Sequence, residues 1–111
     1  SSLSNLGNLQ KDRGKIAEAE NCHREALSLR RQIHDRCGVV VSLNNLAALA
    51  FDRGDRDEAR KGWEQTLAEA ETVGALPYQA MALSNLGELA IAEGKLEEAR
   101  RRLDEALALG R

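Results

Sequence analysis

The sequence predicts an all-α superhelix, a right-handed solenoid of three antiparallel helix pairs. Three observations carry that prediction. SLSNLGNLQKDRG (2–14), SLNNLAALAFDRG (42–54) and ALSNLGELAIAEG (82–94) recur at a fixed shift of forty residues, aligning Leu3, Leu43 and Leu83, then Leu6, Leu46 and Leu86, then Leu9, Leu49 and Leu89. Within each copy apolar and small residues fall three and four apart, as in Ala59, Trp63, Thr66, Leu67, Ala70 and Val73, which is the spacing of one helix face. Gly14, Gly54 and Gly94 stand at the same point of each copy and divide it into two helical halves.

The elements follow in order. A first helix over 2–12 ends before Gly14, and its partner runs over 15–34. HDRCG (34–38) then reads as a polar turn between repeats. The second pair occupies 39–52 and 55–73, where Asp55-Arg56-Asp57-Glu58 sets an acidic cap three residues before a Glu, the pattern of a capping box. The third pair occupies 77–92 and 95–110, and Pro77 suits its first turn because its φ is already helical. The repeats therefore run about 1–38, 39–76 and 77–111 within a single domain. In the second halves Ala19, Ala59 and Ala99 correspond, as do Leu27, Leu67 and Leu107. Gly7 and Gly87 lie inside helices, where a Gly costs about 1 kcal/mol relative to Ala, so a neighbouring helix is expected to approach closely there. Trp63 takes the slot of a large core residue.

Composition narrows the function. The 111 residues are 42% apolar but only 3% aromatic, so the core is built from Leu, Ala and Val. A formal charge of −2, with no basic arm in any segment, supplies no field for a nucleic acid or an acidic membrane surface. No apolar run approaches the roughly 20 residues of a membrane span, and nothing resembles a signal peptide. With only Cys22 and Cys37, a reducing, cytoplasmic setting is expected. The chain opens Ser-Ser without a Met, already in mid-pattern, and is expected to be a piece of a longer one.

Chemistry is sparse. Cys22, His23, His34 and Cys37 are the only zinc-like set, but Cys22 and His23 are helix neighbours that point apart, read as a pair packed near the core; only His34-x-x-Cys37 has ligand spacing. No metal and no cofactor is expected. No Ser or Cys sits in a Gly-flanked turn with a His and an acid to activate it, and the glycines are too dispersed to cradle a phosphate, so no enzymatic activity is expected. Arg100-Arg101-Arg102, interleaved with Glu97, Glu98, Asp104 and Glu105, reads as a solvated helix face.

The pattern L-x2-L-G, a later Gly, an E-A pair and a closing A-L resembles the tetratricopeptide repeat. LSNLGNLQKDRG with AEAENCHREAL, LNNLAALAFDRG with DEARKGWEQTL, and LSNLGELAIAEG with EEARRRLDEAL carry it over essentially the whole chain. Leu3, Leu43 and Leu83 replace the family's opening aromatic; Gln10, Ala50 and Ala90 replace its Tyr; Arg31, Glu71 and Arg111 replace its closing Pro. The period of forty, against the usual 34 or so, is similar to the long repeats of kinesin light chains and bacterial regulators.

The resemblance implies a concave surface made by the first helices, and Asn5, Asn45 and Asn85 occupy one slot there in each copy. A side-chain amide pairs with both the N–H and the C=O of an extended strand. First helices about 10 Å apart match every third residue of a strand rising about 3.3 Å per residue, so three rungs span about seven residues. Asn8 and Asn44 lie beside the row, and Ser4, Ser84, Val41, Met81, Phe51 and Glu88 share its face. These residues are the expected binding set for a protein or peptide partner. The opposing readings are that each Asn bonds an adjacent helix, and that Phe51 packs in the core. Two other roles stay open: a structural segment that self-associates through its uncovered ends, with Leu96, Leu103, Leu107 and Leu109 at one edge, or a ligand-sensing segment of a regulatory ATPase or transcription factor.

Overall fold

The computed structural model describes residues 9–109, with side chains from Gly14 onward. Among the described residues five helices follow one another: α1 (Leu9–Gln32), α2 (Arg36–Asp52), α3 (Arg56–Val73), α4 (Leu76–Ala92) and α5 (Leu96–Leu109). Each packs chiefly on the next in the chain, α1 on α2 through to α4 on α5, which is the connectivity of an all-α solenoid. The expected first helix, 2–12, lies outside the described residues apart from its last turn.

The expected break at Gly14 is not made, for α1 runs through it without interruption. Local context explains the difference. At Gly54 and Gly94 the helix closes because Ala50 and Ala90 are buried at the crossing and their carbonyls accept from the N–H groups of Asp55 and Lys95 at 2.9 and 2.8 Å. Copy one has the polar Gln10 in that slot, which gains little from such burial.

Four turns join the helices, and they share one geometry. His34, Gly54, Gly74 and Gly94 take φ values of 59°, 89°, 73° and 77°, twenty residues apart. Each donates its N–H three residues back, to the carbonyls of Arg31, Phe51, Glu71 and Ile91, while the following residue donates five back. That double closure satisfies the last carbonyls of each helix. The left-handed conformation costs Gly little and His more, so His34 is the exception.

Helix starts are capped where the sequence allows. α2 begins at Arg36, three residues before the expected start, because Asp35 accepts from Gly38 N–H at 3.0 Å. Glu58 N–H donates to Asp55 at 3.1 Å, half of the expected capping box. The other half is absent because the Asp55 N–H is already given to Ala50. Pro77 sits in the first turn of α4 as expected.

The core lies between successive pairs. Trp63, 5% exposed, packs in a cluster with Ala47, Ala50, Ala59, Leu86 and Leu89, joining α2, α3 and α4. Its expected core role holds. Close helix approach explains Gly87, where a Cβ atom would lie 2.9 Å from Leu103 Cγ on α5. In the second pair the small residue stands on the other helix, since a Cβ on Gly62 would lie 2.7 Å from Ala47 Cβ. Gly7 is outside the described residues.

Candidate functional site

Along α2 and α4 one face is buried and a second is half-buried. Val40, Leu43, Ala47 and Ala50 of α2, and Ala82, Leu83, Leu86 and Leu89 of α4, are buried in the stack. Helical periodicity then places Val41, Asn44, Asn45 and Ala48 together on another side of α2, where Ala48 still touches the core cluster, with Met81, Ser84, Asn85 and Glu88 in the same slots of α4. All are half-buried except Glu88, which is exposed. Asn85 Nδ2 donates to Asn44 Oδ1 at 3.4 Å, so the row is stitched across the two repeats. Phe51 stands one turn beyond Ala48, 40% exposed, with its ring centroid 5.9 Å from that of Trp63 at a tilt of 45°. One side of the ring covers the core Trp and the rest meets solvent. Asn5, Asn8 and Ser4 lie outside the described residues.

Sequence reasoning missed the polar joints between repeats. Glu20 on α1 pairs with Arg53, just past α2, and Arg60 on α3 pairs with Glu93, just past α4. A shift of forty carries Glu20 onto Arg60 and Arg53 onto Glu93, so this is one joint used twice with its charges exchanged. That exchange was the available signal. Arg60 Nη1 also donates to Asp57 at 3.0 Å. The hydrogen bond from Arg60 holds the Glu93 carboxyl below the usual carboxylate range, and the charges of Arg60 and Lys95 add to the effect. Asp55 is lowered likewise, first by the Glu58 N–H and then by Arg53. Arg30 adds a further tie, donating to Gly38 O at 3.0 Å and Ser42 Oγ at 2.7 Å.

The remaining candidates do not converge. Cys22, expected near the core, is exposed because it sits on the outer face of α1, while His23 beside it is half-buried. Cys37 is a free, exposed thiol. Among the described residues no group of three or more His, Cys, Asp or Glu side chains is placed to share a metal ion, and no helix is long and apolar enough to cross a membrane.

Comparison with known families returns two matches. A tetratricopeptide repeat family model matches residues 38–111, and a second tetratricopeptide repeat model, of the kinesin light chain-like type, matches residues 1–36. The comparison with curated proteins gives no match. Repeat period, helix-pair architecture and family match agree: the chain belongs to the tetratricopeptide repeat family.

Proposed function

We propose that this chain holds an extended peptide or a partner helix along the concave face that carries Asn45 and Asn85, as an interaction module of a larger cytoplasmic scaffold or regulator. Tetratricopeptide repeats in general mediate protein–protein interactions and are typically non-enzymatic. The observation that supports the finer reading is the amide row itself. Asn45 and Asn85 are half-buried, on a side of their helices away from the buried Leu43 and Leu83, and share it with the apolar Val41 and Met81. Amides in that setting bind backbone groups well, because partial burial reduces competition from water. The Asn85–Asn44 bond uses one donor of Asn85 and leaves its acceptor and second donor for a ligand. Asn5, Asn8, Phe51 and Glu88 extend the same set, and neither cofactor nor metal is needed.

Selection from a displayed library of unstructured peptides, repeated with an Asn45→Ala/Asn85→Ala variant shown by circular dichroism to be folded, tests this reading. At about 1 kcal/mol for each net hydrogen bond, the double variant binds the selected peptides roughly thirtyfold more weakly. Equal affinity for both proteins places the binding surface elsewhere.

A further inference from the structure

The turn from α1 into α2 gathers positive charge that the repeat itself does not require. Arg30, Arg31, His34 and Arg36 line a cavity of about 260 Å³ together with Val39 of α2 and Glu69 of α3. Arg30 is half-buried and held in place, its Nη1 donating to Gly38 O at 3.0 Å and to Ser42 Oγ at 2.7 Å. Its Nε and Nη2 donors have no protein acceptor among the described residues. Glu69 lines the cavity and Asp35 adjoins it in sequence, yet among the described residues none of the three arginines forms an ion pair. Asp35 instead accepts from the Gly38 N–H. The next repeat supplies an internal control. Shifted by forty, Ala70, Glu71, Gly74 and Leu76 take the slots of Arg30, Arg31, His34 and Arg36. That turn closes with the same backbone hydrogen bonds, and a neutral tie from Gln79 Nε2 to Ala70 O at 3.3 Å joins its helices. Packing is therefore met there without a cation. His34 also holds φ 59° where the other turns have Gly, a strain of the kind that collects at binding sites.

We propose that this cavity binds the phosphoryl group of a phosphorylated side chain on a partner protein. Such a group brings about −1.5 to −2 charges and three acceptor oxygens, and planar guanidinium forks match it two bonds at a time. Arg30, fixed through Nη1, offers donors that are already ordered, while the exposed Arg31 and Arg36 close on the group from the rim. His34 adds a ring N–H. A nucleotide base would find no aromatic ring among the lining residues, and one site gives none of the repeated phosphate contacts that hold a polyanion. An exposed rim admits a side chain carried on another protein, in keeping with a family that mediates protein–protein interactions. The site uses neither Asn45 nor Asn85, so it stands or falls independently of the concave-face reading.

The test is capture from a peptide library centred on phosphoserine with randomised flanks, run beside the same library unphosphorylated. The chain is expected to retain phosphorylated peptides, with inorganic phosphate competing them off. Arg31→Gln/Arg36→Gln changes two exposed residues that make no tie in the fold, and should weaken capture at least about tenfold with the melting midpoint unchanged. Arg100→Gln/Arg101→Gln removes the same net charge from the exposed face of α5 and should change capture by less than about twofold. His34→Gly should weaken capture severalfold while raising the midpoint, a combination that a merely structural His34 would not give. Equal retention of the two libraries, or equal loss in the two arginine variants, overturns the proposal. Competition or binding by inorganic phosphate without any preference for the phosphorylated library also overturns it, in favour of a free-phosphate site.

Discussion

Asn85 Nδ2 donates to Asn44 Oδ1 at 3.4 Å, tying the first helices of two successive repeats together. Asn45, in the same slot as Asn85 one repeat earlier, makes no side-chain hydrogen bond among the described residues, and the slot that Asn44 fills for Asn85 is filled for Asn45 by Ser4. The two amides therefore divide differently between folding and binding. Asn85→Ala is expected to lower stability by about 0.5–1 kcal/mol and Asn45→Ala by less than about 0.5 kcal/mol, read from thermal melts. Equal losses would make both residues stitches between helices.

The packing of Gly62 on Ala47 sets a steric limit. An added Cβ lies 2.7 Å from Ala47 Cβ and 3.1 Å from its Cα, so the backbone itself must give. Gly62→Ala is expected to destabilise by about 1–2 kcal/mol although Ala is the better helix former. Adding Ala47→Gly reopens the crossing and moves the pair towards the arrangement of the third copy, where Gly87 is the small partner. Urea unfolding of the two singles and the double should show a favourable coupling, and additive losses would mean that the crossing is not the constraint.

His34 holds φ 59° in a turn whose three counterparts are Gly. His34→Gly relieves an unfavourable backbone conformation and raises the entropy of the unfolded chain, and the first effect is the larger. A net gain of about 0.5–1 kcal/mol follows, visible as a rise of a few degrees in the melting midpoint. A lower midpoint would show that the His34 side chain contributes more to the turn than its strain removes.

Trp63 bridges three helices, and its indole Nε1 is buried without a hydrogen-bond partner among the described residues. Its contribution is therefore apolar packing alone. Trp63→Ala should cost about 3–5 kcal/mol, a large part of the 5–15 kcal/mol typical of a whole domain. Trp63→Phe keeps most of that contact and drops the unpaired N–H, so it should lose far less. A urea midpoint that is the same for the Ala and Phe variants would remove Trp63 from the core account.

These cases show where the sequence is readable and where it is not. Repeat identity makes the helix pairs legible, because Leu43 and Leu83, or Ala59 and Ala99, answer the same packing demand with the same residue. It fails where neighbouring residues compensate. Ala47 with Gly62 solves in one way what Gly87 with Leu103 solves in another, and Glu20 with Arg53 solves with one polarity what Arg60 with Glu93 solves with the opposite. Position by position, such slots look unrelated. Gly14 is the reverse error: it matches Gly54 and Gly94, but the slot of the buried Ala50 and Ala90 holds the polar Gln10 in copy one, so identity at the Gly did not bring the turn. The Asn row is legible as a pattern, while the Asn44–Asn85 bond across it depends on the distance between helices, which residue spacing does not encode.

Acid should loosen the joint between the second and third repeats. Glu93 accepts from Arg60, which lowers its folded-state pKa below the usual Glu value of about 4.3. A depressed carboxylate favours the folded state above the unfolded-state pKa, and that contribution disappears as the pH falls through the lowered folded-state value. The expected signature is a difference. At neutral pH Glu93→Gln melts below the parent, and the gap closes as the pH falls below about 4 towards 2, since both proteins then carry a neutral group opposite Arg60. High salt should shrink the neutral-pH gap only partly, because the pair is half-buried. A gap that persists unchanged at about pH 2 would assign the effect to the shape of the side chain and not to its charge.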